Sequence, residues 1–361
     1  MKSQTITIIV PRLPPAIDGL GDYGLKLAIQ MRQEYGIQAE FIVADPRWCD
    51  DLLTEEFKVR KILSRTSKAL LKLLPINNNI PQTVVLHYVG YGYAKRGCPF
   101  WLIRALEKWR YASRENNLIT MFHELYAFGP IWTSQFWTFP AQRSLVARLA
   151  YLSDKILTSK RTYSDIIFKL TQGKHSSVPV IPVFSNVGEP NSILPIAVRA
   201  RRVVIFGGRS ARSRVYLDSR EFLLKTCIKF NITEIVDIGP TLTFDISPMN
   251  GITIKILGIK GSKEISDILS NSMIGFINYP IDYLTKSGIF AAYCSHGLLT
   301  VIDSGCGRSL RGENLIENFH YMTNLTSSSD LEEMQVVSDN ALRWYKEHNL
   351  SIHSQTFYKY F

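Results

Sequence analysis

The sequence predicts an α/β protein built from two Rossmann-like domains that face each other across a cleft. Short β-branched runs alternate with amphipathic helical stretches along the whole chain, which is typical of parallel strands joined by crossover helices. The 361 residues exceed the usual size of one domain. The periodicity is lost once, over residues 184–200, where Gly188, Pro190 and Pro195 indicate a linker. We therefore predict a first domain at 1–190 and a second at 191–340.

Each domain contains its own series of predicted strands. In the first domain they lie at 5–10, 39–44, 84–87, 118–122, 155–158 and 178–183, with helices between them, for example at 21–34 and 143–152. In the second domain they lie at 202–206, 235–238, 253–257, 274–277 and 299–302. Ligands of open parallel sheets bind at the carboxyl ends of the strands. The residues that follow each strand are therefore the candidates for a functional site.

The net charge of +11 lies almost entirely in the first half of the chain. Residues 1–190 hold 24 Lys and Arg against 15 Asp and Glu, or +9, whereas residues 191–361 hold 18 against 16, or +2. A basic half predicts an anionic partner such as nucleic acid, a membrane surface or a phosphorylated substrate. No apolar run approaches the ~18 residues of a spanning helix, so membrane contact is expected only at the surface.

The cysteines indicate a reducing compartment. They are odd in number and widely spaced, at Cys49, Cys98, Cys227, Cys294 and Cys306. This pattern matches neither a disulfide framework nor a zinc site, so we expect no metal. The chain begins with a β-branched strand rather than a signal peptide, which favours a cytoplasmic location.

A glycine-containing loop follows the first predicted strand. Gly19 and Gly21 would let the backbone approach a ligand and would direct free N–H groups at an anion. With Gly24 they do not form the dinucleotide-binding fingerprint, and Asp22 would repel a pyrophosphate beside it. The alternative is an ordinary strand-to-helix turn capped by Asp22. A second candidate is the ionisable pair His123 and Glu124 at the carboxyl end of the strand at 118–122, although a single histidine is often structural.

The second half begins with a phosphate-binding pattern. The strand at 202–206 ends in Gly207 and Gly208, and three arginines follow at Arg209, Arg212 and Arg214. Fixed positive charge, forked donors and an approachable backbone suit a phosphate group. The alternative is a solvated basic loop.

A second phosphate contact is predicted further along the same half. Lys286, Ser287 and Gly288 precede an apolar helix at 289–295, so their polar groups would surround its N-terminus. An ordinary capped helix start is the alternative.

Residues 58–74 predict a basic amphipathic helix. Its cations recur at helical spacing and form one stripe, at Lys58, Lys61, Arg65, Lys68 and Lys72. Such a helix can lie on anionic lipid, although solvated lysines above a core-facing helix are the alternative. The aromatic residues around Tyr88 and Tyr91 carry no RNA-binding signature, so no nucleic-acid partner is expected.

In their order along most of the chain, these motifs resemble the GT-B glycosyltransferases and, within them, the retaining glycosyltransferase family four. Residues 14–23 are similar to the family's first glycine-rich loop, and His123 follows its strand as expected. Gly208-Arg209 followed by Arg214 is similar to the family's diphosphate-binding Gly-Arg and Lys. Residues 341–361 resemble the C-terminal helices that cross back onto the first domain in this fold.

The sequence departs from the family at its Glu-x7-Glu motif. Aligning the glycine after that motif on Gly297 puts Leu284 and Ala292 at the two Glu positions, and neither side chain can hydrogen-bond a sugar hydroxyl. Lys286, Ser287 and Gly288 occupy the phosphate-facing part instead. This degenerate motif leaves open both the identity of the donor and whether the protein has lost activity.

The resemblance implies a sugar transfer that uses a UDP- or GDP-sugar donor, no other cofactor and no essential metal, with retention at the anomeric carbon. It implies catalytic roles for His123, Arg209 and Lys286. It implies that the donor is bound by Gly19, Gly21, Gly208, Arg214, Ser287 and Gly288, and that the base of the nucleotide lies near residues 257–271. Contacts to a glycan, lipid-linked or small-molecule acceptor fall to Asp22, Tyr88, Tyr91 and Glu124.

Two other functions stay open beside the transferase. A non-catalytic sugar-nucleotide or glycan binder on the same fold would explain the missing Glu pair. A GT-B epimerase would act on the nucleotide sugar itself, but it needs acid–base carboxylates that the sequence does not place. For the transferase we expect polysaccharide or glycolipid biosynthesis, with the chain at the inner face of the cytoplasmic membrane through its basic stripe.

Overall fold

The computed structural model describes residues 5–16, 18–49, 57–75, 81–249, 251–304, 314–325 and 330–361. Two compact units divide the chain: Met1–Pro182 with Leu350–Phe361, and Val183–Asn349. Cys306 lies outside the described residues. Within the described ranges, no helix combines the length and the apolar character needed to cross a bilayer.

The first unit is built on a parallel sheet of six strands in the order β3-β2-β1-β4-β5-β6. The strands are β1 (Thr5–Val10), β2 (Gln38–Val43), β3 (Lys58–Lys61), β4 (Thr83–Tyr88), β5 (Asn117–Phe122) and β6 (Lys155–Thr158). The helices are α1 (Gly19–Tyr35), α2 (Ser67–Leu71), α3 (Gly90–Tyr93), α4 (Phe100–Ala112), α5 (Ser134–Leu152) and α6 (Arg161–Leu170). This strand order is that of the Rossmann fold.

The second unit has a parallel sheet of five strands in the order β11-β10-β7-β8-β9. The strands are β7 (Ala200–Phe206), β8 (Glu234–Ile238), β9 (Thr253–Gly258), β10 (Ser272–Asn278) and β11 (Leu299–Asp303). The helices are α7 (Arg209–Leu217), α8 (Arg220–Lys229), α9 (Ser262–Ser270), α10 (Gly288–Ser295) and α11 (Leu331–Lys346), and a last helix, α12 (Leu350–Tyr358), belongs to the first unit. The predicted pair of parallel α/β sheets is confirmed.

The central strands are apolar because helices cover both faces of each sheet. In β1 every residue after Thr5 is buried, and in β10 all but the last residue are buried. A strand that is buried on both faces has a continuous apolar sequence, so these central strands could be predicted. The strand order adds a feature that periodicity cannot give. It creates a switch point between β1 and β4 in one sheet and between β7 and β10 in the other.

The unit boundaries differ from the predicted ones. The change falls at 182/183 rather than 190/191, and only α12 returns to the first unit. Helix α12 packs on α1, where Tyr358 stacks on Tyr35 with ring centroids 4.1 Å apart. The predicted crossing of all of 341–361 is wrong, because Trp344 packs against Phe290 and keeps α11 in the second unit.

The predicted basic helix at 58–74 is wrong. Lys58 and Lys61 lie on the edge strand β3, which pairs in parallel with β2. Only Lys68 lies within α2, which begins after the N-cap Thr66 and ends before Lys72. Lys58 pairs with Glu40 at 2.9 Å, and Lys61 Nζ donates to the carbonyl of Trp48 at 2.8 Å. The cations therefore do not form one helical stripe, and the expected membrane contact through them loses its geometric basis.

The predicted strand at 178–183 is also wrong. Only an isolated bridge forms, between Val180 and Thr158 of β6. Pro179 and Pro182 lack the N–H groups that a regular ladder needs, so β6 remains the edge of the sheet.

Candidate active site

The candidate site of the second unit lies at the switch point between β7 and β10. Adjacent parallel strands end there at Phe206 and Asn278, and the connections that follow them leave toward different neighbours. Ligands of open α/β sheets bind in the crevice at such a point. The segments after these two strands are the ones that carry the predicted phosphate-binding residues.

A glycine turn brings those two segments together. Gly207 follows β7 with a φ of 129°, a conformation that favours glycine. A Cβ at this position would lie 2.5 Å from Cδ1 of Ile289 in α10. The missing side chain therefore lets the turn after β7 pack directly on the first turn of α10.

Two of the three arginines after this turn remain available to a ligand. Gly208 is the N-cap of α7, and Arg209 is the first residue of that helix. The Arg209 side chain is exposed and is positioned by a 2.8 Å hydrogen bond from Nε to the carbonyl of Thr241. Arg214 is half-buried, and its Nη2 lies 3.5 Å from the carbonyl of Asn278 at the end of β10.

The third arginine, Arg212, has a structural role. Its side chain is 1% exposed and forms an ion pair with Asp237 of β8, including a 3.0 Å bond from Nε to Oδ2. The Tyr216 hydroxyl donates to the same carboxylate at 3.0 Å. With its charge neutralised inside the unit, Arg212 is not a phosphate ligand, and the predicted cluster of three contributes two cations to the site.

The second predicted phosphate contact lies at the N-terminus of α10. The Ser287 hydroxyl caps the helix by accepting from the N–H of Phe290 at 3.1 Å, and Gly288 begins the helix. The Lys286 ammonium lies 5.2 Å from the centroid of the Tyr283 ring. A small cavity beside the helix start is lined by Ala211 of α7, Asn278 of β10, Ser287 and Ile289, so the structure brings these segments to one place.

The positions of the missing Glu pair cannot contact a ligand. Leu284 and Ala292 are both buried in the core of the second unit. Two other oxygens near the start of α10 are notable, because in the described part of the chain Asn186 Oδ1 and Thr285 Oγ1 are buried without a hydrogen-bond partner. A Cβ on Gly288 would lie 3.5 Å from Asn186 Cγ, which places this amide beside the helix start. No local motif marks either residue.

The first unit has its own switch point, between β1 and β4. Helix α1 begins there at Gly19, and the Asp18 carboxylate caps it by accepting from the N–H groups of Leu20 and Gly21 at 3.0 and 3.1 Å. The cap is therefore Asp18 and not the predicted Asp22, which lies in the first turn of the helix.

The two predicted ligand-facing glycines differ in their surroundings. A Cβ on Gly19 would meet nothing within 4 Å, whereas a Cβ on Gly21 would lie 1.9 Å from the carbonyl oxygen of Arg12. Gly21 is thus required by packing against the chain's own backbone, and Gly19 is the one that leaves open space.

Gly21→Ala should destabilise the first unit strongly, whereas Gly19→Ala should not. The methyl group at Gly21 overlaps a backbone carbonyl that cannot move without displacing the loop after β1. We expect the free energy of unfolding in urea to fall by about 2–3 kcal/mol for Gly21→Ala and to stay within about 1 kcal/mol for Gly19→Ala. Equal losses for the two variants would contradict this difference.

His123 lies in a buried cluster of rings at the carboxyl ends of β4 and β5. His87 Nδ1 is 3.2 Å from His123 Nε2, and the Tyr23 ring stands edge-on to His123 with centroids 4.8 Å apart. Tyr23 donates to His353 Nδ1 at 2.6 Å, and His353 Nε2 in turn donates to the carbonyl of Pro182 at 2.8 Å. Tyr23, His87 and His353 were not predicted as site residues from the sequence, because they come together only when distant parts of the chain fold against each other.

Burial shifts the pKa values in this cluster. It lowers the pKa of His87 to about 3, aided by His353, and it lowers the pKa of His353 to about 4. Asp22 is affected in the opposite way, because burial and then the Asp18 charge raise the pKa of this carboxyl to about 6. His87 and His353 are therefore neutral at pH 7, and Asp22 is a carboxyl that can exchange a proton near neutrality.

The stability of the first unit should fall as the pH drops from 7 toward 4. Below pH 6.5 the unfolded chain protonates its histidines, whereas folded His87 and His353 stay neutral down to pKa values of about 3 and 4. Each such histidine lowers the free energy of unfolding by about 1.4 kcal/mol per pH unit in this window. Asp22 has the opposite effect, because its carboxyl binds a proton in the folded chain at a higher pH than in the unfolded chain. Between its folded pKa of about 6 and its lower unfolded pKa, it offsets the loss of stability caused by one histidine.

Urea titrations at several pH values check this dependence. His353→Gln should make the free energy of unfolding less dependent on pH between 6.5 and 4. An unchanged slope in that variant would show that the buried histidine is not its source.

The remaining predicted acceptor-side residues are divided between core and surface. Tyr88 is fully buried among aromatic side chains, with its ring 5.4 Å from that of Phe122. Tyr91 and Glu124 are exposed. Within the described ranges, no group of three His, Cys, Asp or Glu side chains is arranged to hold a metal ion.

No family model and no curated protein matches the chain. Solved structures do match it along its whole length. An α-glucosyltransferase in complex with UDP-glucose and DNA containing an abasic site is 11% identical, with a TM-score of 0.60 over 99% of both chains. TarM is 8% identical, with a TM-score of 0.60 over 99% of this chain and 98% of its own.

A third similar structure is a Listeria monocytogenes protein named as a UDP-N-acetylglucosamine 2-epimerase. It is 11% identical, with a TM-score of 0.53 over 100% of this chain and 96% of its own. These likenesses confirm the GT-B fold that the order of the motifs predicts. Membership of family four stays a prediction.

Proposed function

We propose that this protein is a glycosyltransferase that moves a sugar from a nucleotide-sugar donor to an acceptor. One observation carries the proposal. At the switch point of the second sheet, the turn at Gly207 that leads into the exposed Arg209 packs on the first turn of α10, which Lys286 and Ser287 precede. Two cations beside helix N-termini suit a diphosphate.

These residues would act on the leaving group. As the bond between the anomeric carbon and the diphosphate oxygen breaks, its electron pair passes to that oxygen. The acceptor hydroxyl forms the new bond to the anomeric carbon and gives its proton to the departing diphosphate. Arg209, Lys286 and the positive end of the α10 dipole then face a growing negative charge. Arg214, Gly208, Ser287 and Gly288 complete the donor site in this proposal. Retention at the anomeric carbon, and transfer without a metal, are inferred from the family resemblance.

Recognition of the sugar needs polar groups that the degenerate Glu pair does not supply. Asn186 Oδ1 and Thr285 Oγ1 are buried, unpartnered oxygens near the start of α10. An unpaired buried polar atom is costly, and a sugar hydroxyl would satisfy it. We therefore assign to them part of the role that the family gives to its glutamates.

The first unit would supply the acceptor side. His123 is proposed to orient the transferred sugar, and Gly19 to approach the phosphates. Asp22, Tyr91 and Glu124 remain candidates for contacts to a glycan, lipid-linked or small-molecule acceptor, whereas Tyr88 is buried and would act through packing. The UDP-glucose named for one similar glycosyltransferase favours UDP as the nucleotide.

An epimerase is the second candidate, and in that case Asp22 would be its acid–base carboxyl. Its pKa of about 6 suits proton transfer near neutrality. A similar structure also bears an epimerase name.

A thermal-shift screen against UDP-, GDP-, ADP- and dTDP-sugars tests the donor assignment. A ligand that binds only the folded chain raises the melting temperature. We expect UDP-glucose or UDP-N-acetylglucosamine to give the largest rise. No shift with any nucleotide sugar at millimolar concentration would contradict the proposal.

A further inference from the structure

The first unit exposes a group of large apolar side chains after β5. Trp132 is 83% exposed, Phe128 73% and Trp137 70%, and Ile131 and Phe136 are also exposed. They occupy the loop that follows His123 and the first turn of α5. Single exposed apolar residues are ordinary, whereas five within ten residues of one another mark an interaction surface.

A buried amide joins this segment to a second exposed one. Gln142 of α5 accepts from the N–H of Ala127 at 2.9 Å and donates to the carbonyl of Arg96 at 3.0 Å. Its Nε2 also lies 3.3 Å from the hydroxyl of Tyr91. Residues 91–100, which expose Tyr91 and Phe100, therefore lie beside the aromatic loop, and we call the two segments together the aromatic surface.

The charge within the stretches that carry the aromatic surface is positive. Stretches 57–106 and 125–153 contain no Asp or Glu. Among the described acidic residues that border them, Glu107 pairs with Arg148, Asp154 pairs with Arg110, and Glu124 is exposed. The exposed cations on these stretches near the surface are Lys95, Arg96, Arg104 and Arg143. Among the residues that the structure describes, none of these four makes an ion pair, so their charge is available to a partner.

We propose that the aromatic surface binds an anionic phospholipid bilayer. Tryptophan and tyrosine rings favour the boundary between headgroups and acyl chains, where their apolar bodies are buried and their polar atoms stay hydrated. Lysines and arginines beside them are attracted to anionic headgroups. A protein partner would pair an apolar surface with acidic side chains of its own. The exposed tryptophans and the absence of acidic residues from 91–106 and 125–153 match a lipid surface in both chemistry and charge.

This site replaces the basic helix expected from the sequence. The cations at 58–72 are partly tied to Glu40 and to backbone carbonyls, whereas the aromatic surface supplies apolar anchors together with unpaired charge. The inference does not depend on the proposed transferase activity, since it concerns only binding to lipid.

Sedimentation of the full chain with sucrose-loaded vesicles tests the proposal. We expect pelleting with vesicles of equal parts phosphatidylcholine and phosphatidylglycerol, and little with phosphatidylcholine alone. Trp132→Ala with Trp137→Ala should lower the partition coefficient at least about tenfold. Arg96→Glu with Arg143→Glu should lower it similarly and remove its dependence on phosphatidylglycerol. Circular dichroism checks that each variant is folded.

The matched control is Tyr111→Ala. Tyr111 is 76% exposed and lies at the far end of α4, three turns from Phe100, so its loss should leave vesicle binding unchanged. Three results would overturn the proposal: vesicle binding that survives loss of both tryptophans, equal binding to phosphatidylcholine alone, or no binding at all. A wild-type dimer that the double tryptophan variant makes monomeric would assign the surface to a second copy of the chain instead.

Discussion

Lys286→Ala should lower the affinity for UDP by about tenfold to a hundredfold. Lys286 directly precedes the N-cap residue of α10, and a hydrogen bond to a charged group contributes about 1.5–3 kcal/mol. Arg209→Ala should have an effect of similar size, because Arg209 follows the turn at Gly207, which packs on α10. The double variant should bind no UDP detectable by titration calorimetry.

Lys225→Ala is the matched control for this prediction. It removes the same charge from an exposed position in the second unit, on α8, where Lys225 pairs with Glu221. Its UDP affinity should equal that of the wild type. Unchanged affinity in both Lys286→Ala and Arg209→Ala would exclude the switch point as the diphosphate site.

Asp237→Ala should destabilise the second unit more than Gly21→Ala destabilises the first. It leaves the Arg212 charge buried without its partner and the Tyr216 hydroxyl without an acceptor. Breaking a buried ion pair in this way costs about 3–5 kcal/mol. Urea unfolding followed by fluorescence should show this loss in the free energy of unfolding.

The exposed pair on α8 gives the control for that prediction. Glu221→Ala breaks a solvent-exposed contact with Lys225 and should leave the urea midpoint unchanged. If Asp237→Ala stayed within about 1 kcal/mol of the wild type and instead weakened UDP binding, Arg212 would belong to the ligand site rather than to the core.

The strands could be predicted wherever local composition determines them. The expected strands at 5–10 and 155–158 match β1 and β6, because β-branched runs buried on both faces are recognisable without knowledge of their neighbours. Strand β3 could not be found in this way. Its four residues, Lys58–Lys61, resemble a basic helical stripe, but they pair in parallel with β2, where Glu40 forms ion pairs with Lys58 and Arg60.

The segments that form the candidate site could be predicted from the sequence, but the contacts between their side chains could not. The glycine and arginine pattern after β7 and the polar start of α10 are visible in the sequence. Which arginine is structural depends on Asp237, which lies on the next strand of the sheet. The Tyr23–His353 hydrogen bond joins the two ends of the chain, and the unpartnered oxygens of Asn186 and Thr285 depend on side-chain packing. Long-range contacts of this kind leave no local sequence signal.

Proton NMR of UDP-glucose and UDP-N-acetylglucosamine incubated with the full chain tests the central claim most directly. A glycosyltransferase that holds its donor at the switch point should slowly transfer the sugar to water, releasing UDP and the free sugar. Under retention, the first sugar released should have the anomeric configuration of the donor. The proposal would be contradicted if the donor bound but stayed intact, which is the behaviour of a non-catalytic binder, or if its sugar were epimerised without release of UDP.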